Sequence, residues 1–292
     1  MKAVILAAGE GSRMRPLTYT RPKVMLTIAN KPILEHLLIE ARSAGIEEFI
    51  LIVGYHDEQI RNHFGNGEKW RVNIDYCTQR KQLGTADAVR MVEGMVNGHF
   101  LMMNGDIIVN HQDIKSITNG KDNTMSLVEV ENTEDLGMVE ISKDKVVRIH
   151  EKVGKPPSNL ANAGLYLFTP EIFTAISKTS TSPRGEYEIT DSLQVLIDQG
   201  HRVSYQTVSY WLDFSYPWDL LTSVPSLLIF MLPLVTTPIS PSSKYTTLSV
   251  CSSIAGTSEA TKFSLSPRPI ISGLSFLATT NSGLPFINTM MA

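Results

Sequence analysis

Residues 3–23 read AVILAAGEGSRMRPLTYTRPK, and this stretch decides the fold. Ala3–Ala8 is an uninterrupted run of apolar and small residues, which predicts a buried strand leading straight into a glycine-rich loop. Ligands of open α/β sheets bind beyond the carboxyl ends of the strands, where small residues let backbone N–H groups approach phosphate oxygens. The loop also carries four cations within eleven residues: Arg13, Arg15, Arg21 and Lys23. The stretch therefore predicts a phosphate-binding loop after the first strand of a sheet. It matches neither a P-loop nor a dinucleotide fingerprint, since the Gly-Lys-Ser/Thr and the third glycine are missing.

Strands and helices alternate outward from this loop. Helical spacing predicts helices over Pro32–Ala44, Asp57–Phe64 and Thr85–Val96, and short apolar runs predict strands over Phe49–Val53, Val72–Cys77 and Phe100–Met103. Beyond about Met125 the pattern changes to strands followed by two helices: Met125–Val130, Met138–Ile141, Val146–His150, Gly164–Phe168, Glu171–Ser177 and Ile189–Gln199. We expect an α/β fold with a Rossmann-like mixed, mostly parallel sheet and helices on both faces, with α+β character in its second half.

The composition excludes several classes of protein. A hydrophobic content of 42% and a net charge of −3 give no basic excess of the kind that nucleic-acid binding requires. Cys77 and Cys251 form neither a disulfide framework nor a metal pattern, which favours a reducing, cytoplasmic compartment. Only six apolar residues lie between Lys2 and Gly9, too few for a secretory signal, and the longest apolar run, Leu227–Val235, is too short to span a membrane. We expect no nucleic-acid and no membrane partner.

The character of the chain changes near Ser223. Of the 55 charged residues, 51 lie in residues 1–223, together with all seven histidines. The remaining 69 residues contain 22 Ser or Thr and seven Pro, and they show no periodicity and no repeat. Such a composition is typical of a loosely structured segment, although this one is more apolar than most disordered chains. The sequence thus predicts a domain over residues 1–222 and a Ser/Thr/Pro-rich tail over 223–292.

Two motifs lie where predicted strands end or helices begin. Residues 79–88 read QRKQLGTADA, in which glutamine side chains offer the donor and acceptor that a pyrimidine edge requires, and Thr85 can cap the next helix. Asn104-Gly105-Asp106 follows a strand, where a carboxylate can hold Mg²⁺ on substrate phosphates. Taken alone, the first is equally consistent with an ordinary helix start and the second with a plain Asn-Gly turn.

Weaker candidates follow later in the chain. Asp213, in Tyr210-Trp211-Leu212-Asp213, is either a second metal carboxylate or a surface acid beside a packed tryptophan. Hydroxyl groups of a sugar are well matched by glutamate, asparagine and backbone groups. The candidates for that task are Gly137, Glu151 with Lys152, and Asn162, each of which is by itself more typical of an ordinary loop.

Together these segments resemble the sugar-1-phosphate nucleotidyltransferase family, over Met1 to about Leu221. Within that family the chain looks most like the nucleotidyltransferase domain of archaeal bifunctional sugar-1-phosphate nucleotidyltransferase/acetyltransferases. The resemblance rests on the loop GEGSRMRPLT at residues 9–18, on GEYEITDSL at 185–193 and on WLDFSYPWDLL at 211–221. It implies the nucleotide-diphospho-sugar transferase fold.

The resemblance implies a role for each matched position. It assigns Arg13 and Lys23 as catalytic cations and Asp106 and Asp213 as the carboxylates of an Mg²⁺ site. The nucleotide-binding positions that it implies are Leu6, Ala8, Gly9, Gly11, Gln79, Gln82, Gly84 and Thr85. The sugar-binding positions are Asn104, Gly137, Glu151, Lys152 and Asn162.

The implied reaction joins a nucleoside triphosphate, UTP or dTTP, to a sugar 1-phosphate, giving an NDP-sugar and pyrophosphate. N-acetylglucosamine 1-phosphate and glucose 1-phosphate both fit as the acceptor, and assembly into a homo-oligomer stays open. Two alternatives also stay open: a mannose-1-phosphate guanylyltransferase, and a regulatory homologue with weak catalysis.

Two departures from the family pattern stand out. Phe214-Ser215 follows Asp213 where relatives commonly have a small residue such as glycine. The archaeal relatives continue into a left-handed β-helix of hexapeptide repeats, and the tail of this chain shows no such period. The abrupt loss of charge leads to the hypothesis that residues beyond about Thr222 are read out of frame, a hypothesis that the nucleotide sequence tests.

Overall fold

The computed structural model describes residues 1–131, 133, 136–151 and 157–223, together with the backbone of four short strands beyond residue 246. Up to residue 223 the strands are β1 Lys2–Ala7, β2 Thr27–Ile28, β3 Lys31–Pro32, β4 Glu48–Val53, β5 Asn73–Thr78, β6 Phe100–Asn104, β7 Ile107–Val109, β8 Asn123–Glu129, β9 Gly137–Ser142, β10 Lys145–Glu151, β11 Leu160–Phe168, β12 Val203–Thr207 and β13 Trp211–Asp213. The α-helices of the same region are α1 Ile33–Ser43, α2 Asp57–Phe64, α3 Thr85–Arg90, α4 His111–Ile117, α5 Glu171–Lys178 and α6 Ile189–Asp198.

Nine strands form one mixed sheet in the order β5-β4-β1-β6-β11-β8-β12-β10-β9. The first four strands run parallel to one another, as does the β8–β12 pair, whereas β11 is antiparallel to both β6 and β8. The short pairs β2–β3 and β7–β13 lie outside this sheet. The predicted mixed α/β sheet is confirmed, and its parallel pairs join the four strands of the first 104 residues and, separately, β8 with β12.

Alternation along β1 explains why the sheet is covered on both faces. Ala3, Ile5 and Ala7 pack with α1, α2 and α4 in one apolar cluster, while Val4 packs with α3, α5 and α6 in a second. A strand that is buried on both sides needs an apolar residue at every position, and β1 has one from Ala3 to Ala7. The uninterrupted apolar run therefore suits the position of β1, which lies between β4 and β6 in the parallel part of the sheet.

Some element boundaries differ from the sequence-based expectation. The predicted helix over Thr85–Val96 ends at Arg90, and a separate 3₁₀ turn follows over Glu93–Met95. A glycine lies within that turn, and glycine disfavours continuation of an α-helix. The expected capping by Thr85 is also wrong, because Gly84 occupies the cap position and the Thr85 hydroxyl accepts a hydrogen bond from Ile189 N at 2.9 Å.

The chain separates into two compact units, Met1–Val224 and Pro225–Ala292. Within the second unit, the described backbone forms an antiparallel sheet of β14 Thr247–Val250, β15 Thr261–Ser264, β16 Leu277–Thr279 and β17 Pro285–Ile287. The predicted boundary at residue 222 and the out-of-frame tail stay predictions.

Candidate active site

A cleft of about 330 Å³ opens at the carboxyl ends of β1 and β6. Twelve of the residues proposed from the sequence line it: Leu6, Ala8, Gly9, Gly11, Arg13, Lys23, Gln79, Gln82, Gly84, Thr85, Asn104 and Asp106. Glu186 and Ser215 line it as well and were not expected from the sequence as site residues. Both lie inside segments that carry the family resemblance, so their position within those segments was the available signal.

The loop after β1 is held in a fixed shape by Gly11. This residue has φ +65°, in the left-handed region, and a Cβ there would come within 2.7 Å of Lys23 Cβ. Its carbonyl oxygen accepts hydrogen bonds from Met14 N at 2.9 Å and from the Thr18 hydroxyl at 2.8 Å. The backbone thus folds back against Lys23, and only glycine combines this conformation with this approach.

Lys23 and Asp106 form an ion pair across the floor of the cleft. Lys23 Nζ lies 2.6 Å from Asp106 Oδ2, and the side chains are 10% and 31% exposed. Burial alone raises the pKa of Asp106, but the charges of Lys23 and Arg13 and the hydrogen bond from Lys23 outweigh it, so this pKa lies below its usual range. The cleft therefore holds a shielded carboxylate and two cations.

Asp213 is brought beside Asp106 by a strand pairing that is remote in sequence. In the β7–β13 pair Asp213 faces Ile107, and Phe214 N donates to Asp106 O at 3.2 Å. Burial, followed by the negative charge of Asp106, raises the pKa of Asp213 to about 6. The two predicted metal carboxylates thus influence each other electrostatically, although Asp213 itself lines an adjacent cavity with Trp211 and Tyr216.

The approach to β13 is fixed by Asp113, which the sequence analysis did not single out. Its carboxylate accepts hydrogen bonds from Ser209 N at 2.8 Å and Tyr210 N at 3.2 Å, and its own backbone N–H donates to the Asn110 side chain at 2.7 Å. An Asn followed three residues later by an acid is a recognised signature of a helix start. That signature was the available signal for this residue.

Of the predicted sugar-binding residues, Asn104 lines the cleft, whereas Gly137, Glu151 and Asn162 lie on strands of the second half and outside that lining. Gly137 and Glu151 face each other in the β9–β10 pair, and Glu151 Oε1 accepts the Thr190 hydroxyl at 2.8 Å. Asn162, on β11, donates to the Tyr166 hydroxyl at 2.6 Å. Lys152 lies outside the described residues.

One contact joins the cleft to the strand that carries Asn162. Gly164 approaches Asn104 so closely that a Cβ would lie 2.6 Å from Asn104 Nδ2. On the same strand, Ala163 O accepts a hydrogen bond from Trp211 Nε1 at 2.9 Å. The structure thus joins β11 to the end of β6 and to the Asp213 strand, while Glu151 and Gly137 stay grouped with α6.

Within the described part of the chain, no helix is long and apolar enough to cross a membrane.

Comparison with known proteins gives concordant results. The model of the family described as nucleotidyl transferase matches residues 2–227. The bifunctional protein GlmU of Methanococcus maripaludis is 41% identical over 226 residues, which cover 76% of this chain and 53% of the relative. The UTP–glucose-1-phosphate uridylyltransferase AglF of Haloferax volcanii is 37% identical over 227 residues, covering 75% and 93%.

Among solved structures, a Bacillus anthracis protein described as a glucose-1-phosphate thymidylyltransferase superposes with a TM-score of 0.71 at 29% identity. The match covers 77% of this chain and 94% of that protein. The chain spans about half the length of the GlmU relatives that it matches.

Proposed function

The chain belongs to the nucleotidyl transferase family, and we propose that it transfers a nucleotidyl group from UTP or dTTP to a sugar 1-phosphate. Glucose 1-phosphate and N-acetylglucosamine 1-phosphate are the proposed acceptors, and pyrophosphate is the second product. Relatives named for uridylyl and thymidylyl transfer to glucose 1-phosphate support this substrate class.

The observation that carries the proposal is the convergence of Arg13, Lys23 and Asp106 on one cleft at the end of β1. Attack of the sugar phosphate oxygen on the α-phosphorus, in line with the departing pyrophosphate, needs no covalent enzyme intermediate. Catalysis then depends on positioning and on neutralising phosphate charge. Arg13 would bind the triphosphate and Lys23 the reacting phosphates, each through charge-assisted hydrogen bonds.

The donor set fits a magnesium ion. Among the described residues no group of three or more His, Cys, Asp or Glu side chains forms a metal cluster. Mg²⁺ is commonly held by only one or two carboxylates and by substrate phosphates, so Asp106 and Asp213 suffice. The pKa of Asp213 is raised by partial burial and by the negative charge of Asp106, and a divalent cation would relieve this repulsion. When bound, such an ion neutralises the charge on the phosphates.

The sugar 1-phosphate would lie between Asn104 and the strands that carry Gly137, Glu151 and Asn162. For the sugar hydroxyl groups, Asn162 and Glu151 offer hydrogen-bond acceptors, and Asn104 offers a donor and an acceptor. Lys152 is the proposed contact to the acceptor phosphate. The proposed catalytic domain is residues 1–222.

A substrate panel tests the proposed function. The purified full chain is incubated with Mg²⁺, one of UTP, dTTP and GTP, and one of the 1-phosphates of glucose, N-acetylglucosamine and mannose, and pyrophosphate is measured. We expect release that requires both substrates and favours UTP or dTTP. Preferred use of GTP with mannose 1-phosphate would instead establish the guanylyltransferase alternative, and no release in any combination would contradict the proposal.

A further inference from the structure

Asp87 is a buried carboxylate for which the proposed transfer has no use. It lies in the first turn of α3, and its side chain is 7% exposed. One oxygen, Oδ1, accepts from Arg90 Nη2 at 2.6 Å, and the other, Oδ2, accepts from Gln79 Nε2 at 3.0 Å. Burying a charge is costly unless it is paired. A buried carboxylate next to the Gln79–Thr85 loop is therefore expected to have a specific role there.

The contacts of Gln79 fix the orientation of its amide. Nε2 donates to Asp87 Oδ2 and also to Gly84 O at 3.2 Å. Both partners are acceptors, so a flipped amide would point its oxygen at two other oxygens. The side chain lines the cleft, and none of the described residues donates a hydrogen bond to Gln79 Oε1. Gln79 therefore offers the cleft an acceptor, since its amide donors are already used inside the protein.

The second partner, Gly84, is itself held in place. Gly84 has φ +111°, and a Cβ there would lie 2.6 Å from Tyr187 N. Tyr187 N donates to Leu83 O, and Ala86 N donates to Tyr187 O, both at 2.8 Å. The segment that resembles the family at 185–193 thus holds the loop at residues 83–86, so the Gly84 carbonyl cannot turn away from Gln79.

Building on the proposed function, we infer that Asp87 positions Gln79 and thereby determines base specificity. An acceptor in the cleft matches a base whose ring nitrogen carries a hydrogen, as N3 of uracil and thymine does. Cytosine presents a lone pair at N3 and would face Gln79 Oε1 as acceptor against acceptor. A mismatched polar contact of this kind disfavours the wrong base by about 10-fold to 100-fold.

Asp87→Asn provides the most direct test. Arg90 is donor-only, so the introduced asparagine would keep its oxygen toward Arg90 and turn its amide nitrogen toward Gln79. Gln79 would then face a donor at position 87 and an acceptor at Gly84 O, so its amide would lose its single fixed orientation and would present N–H groups to the cleft in part of the molecules. We expect kcat/KM for UTP to fall and the CTP-to-UTP ratio of kcat/KM to rise, by up to about tenfold. Arg90→Gln, which keeps the Asp87–Gln79 hydrogen bond, should retain the wild-type ratio.

A purely structural role for Asp87 would lower kcat/KM for both triphosphates equally, and that result would overturn the inference. The wild-type chain gives a second test that does not depend on how well the variant folds. It should use CTP and N3-methyl-UTP at least about tenfold less well than UTP, and equal use of either would also overturn the inference. Absence of turnover with every triphosphate would contradict the proposed function itself, and this inference with it.

Discussion

The two sides of the site are built in different ways. The nucleotide side draws most of its residues from the first 106 positions, on loops that follow parallel strands and are held by backbone hydrogen bonds, those between Tyr187 and the loop at residues 83–86 included. The sugar side is assembled from antiparallel strands, where Gly137 and Glu151 meet through the β9–β10 pairing. A loop whose shape is set locally can present cations before substrate arrives, whereas the sugar side depends on long-range strand register. We therefore expect substitutions on the nucleotide side to affect turnover and those on the sugar side to affect substrate binding.

The largest effect is expected from Lys23→Ala. Removing one charged contact to the reacting phosphates typically lowers the rate on the order of 10²–10³-fold. Steady-state kinetics should show the loss in kcat. Arg15→Ala is the matched control, because Arg15 belongs to the same loop but pairs with Glu10 at 2.8 Å and does not line the cleft. Near-normal turnover in Lys23→Ala would contradict the expectation that substitutions on the nucleotide side act on turnover.

On the sugar side, Glu151→Gln should act on binding. The change weakens charge-assisted hydrogen bonds, worth about 1.5–3 kcal/mol each, so KM for the sugar 1-phosphate should rise about tenfold or more. KM for the triphosphate should stay as in the wild type. Glu140→Gln, on the neighbouring strand β9 and paired with His150, is the control. An equal rise in both KM values would show that the two sides are not separable.

Asp113 ties α4 to the approach of β13, because one of its oxygens, Oδ2, accepts the backbone N–H groups of Ser209 and Tyr210. Asp113→Ala would leave both N–H groups without this acceptor, which should lower the free energy of unfolding by about 1–3 kcal/mol. Urea unfolding measures this. The control is Asp144→Ala, because the exposed carboxylate of Asp144 pairs with Arg202 and exposed ion pairs contribute little. An unchanged unfolding midpoint in Asp113→Ala would mean that these hydrogen bonds do not hold β13.

The smallest effect concerns pH and lies entirely on the nucleotide side. His36 Nε2 donates to Ile28 O at 2.8 Å, and burial, only partly offset by this hydrogen bond, lowers the pKa of His36 below its usual value. As the pH falls through about 6.5, the unfolded chain therefore takes up a proton more readily than the folded one, and stability declines. The decline should be shallower in His36→Gln, as measured by urea unfolding between about pH 5 and 8. Identical slopes would show that His36 does not contribute to it.

Local sequence predicted the nucleotide side well for a physical reason. The apolar run at Ala3–Ala8 and the glycines after it are contiguous, and the helix over Asp57–Phe64 has the bounds that its spacing predicts. Gln79 was expected to offer a donor and an acceptor, yet its donor is used by Asp87 and Gly84, a contact that depends on how α3 packs.

The short elements that bring Asp213 close to Asp106, and others like them, were harder to predict. Strands β7 and β13 have only three residues each, and α4 and β12 are short as well. Such elements carry too few residues to establish a periodicity. Their pairing brings Asp213 opposite Ile107, from distant parts of the chain. That choice of partner is a property of the fold and not of either segment.

The central claim is that an intact nucleotidyl group, with its α-phosphorus, passes from the triphosphate to the sugar phosphate in the cleft at the end of β1. Label tracing tests it most directly, with the full chain, Mg²⁺, a sugar 1-phosphate and UTP labelled with ³²P at the α or the γ position. The account predicts α label in the nucleotide sugar, γ label in pyrophosphate and no label on the protein. Release of γ label as orthophosphate, with no labelled nucleotide sugar, would contradict it.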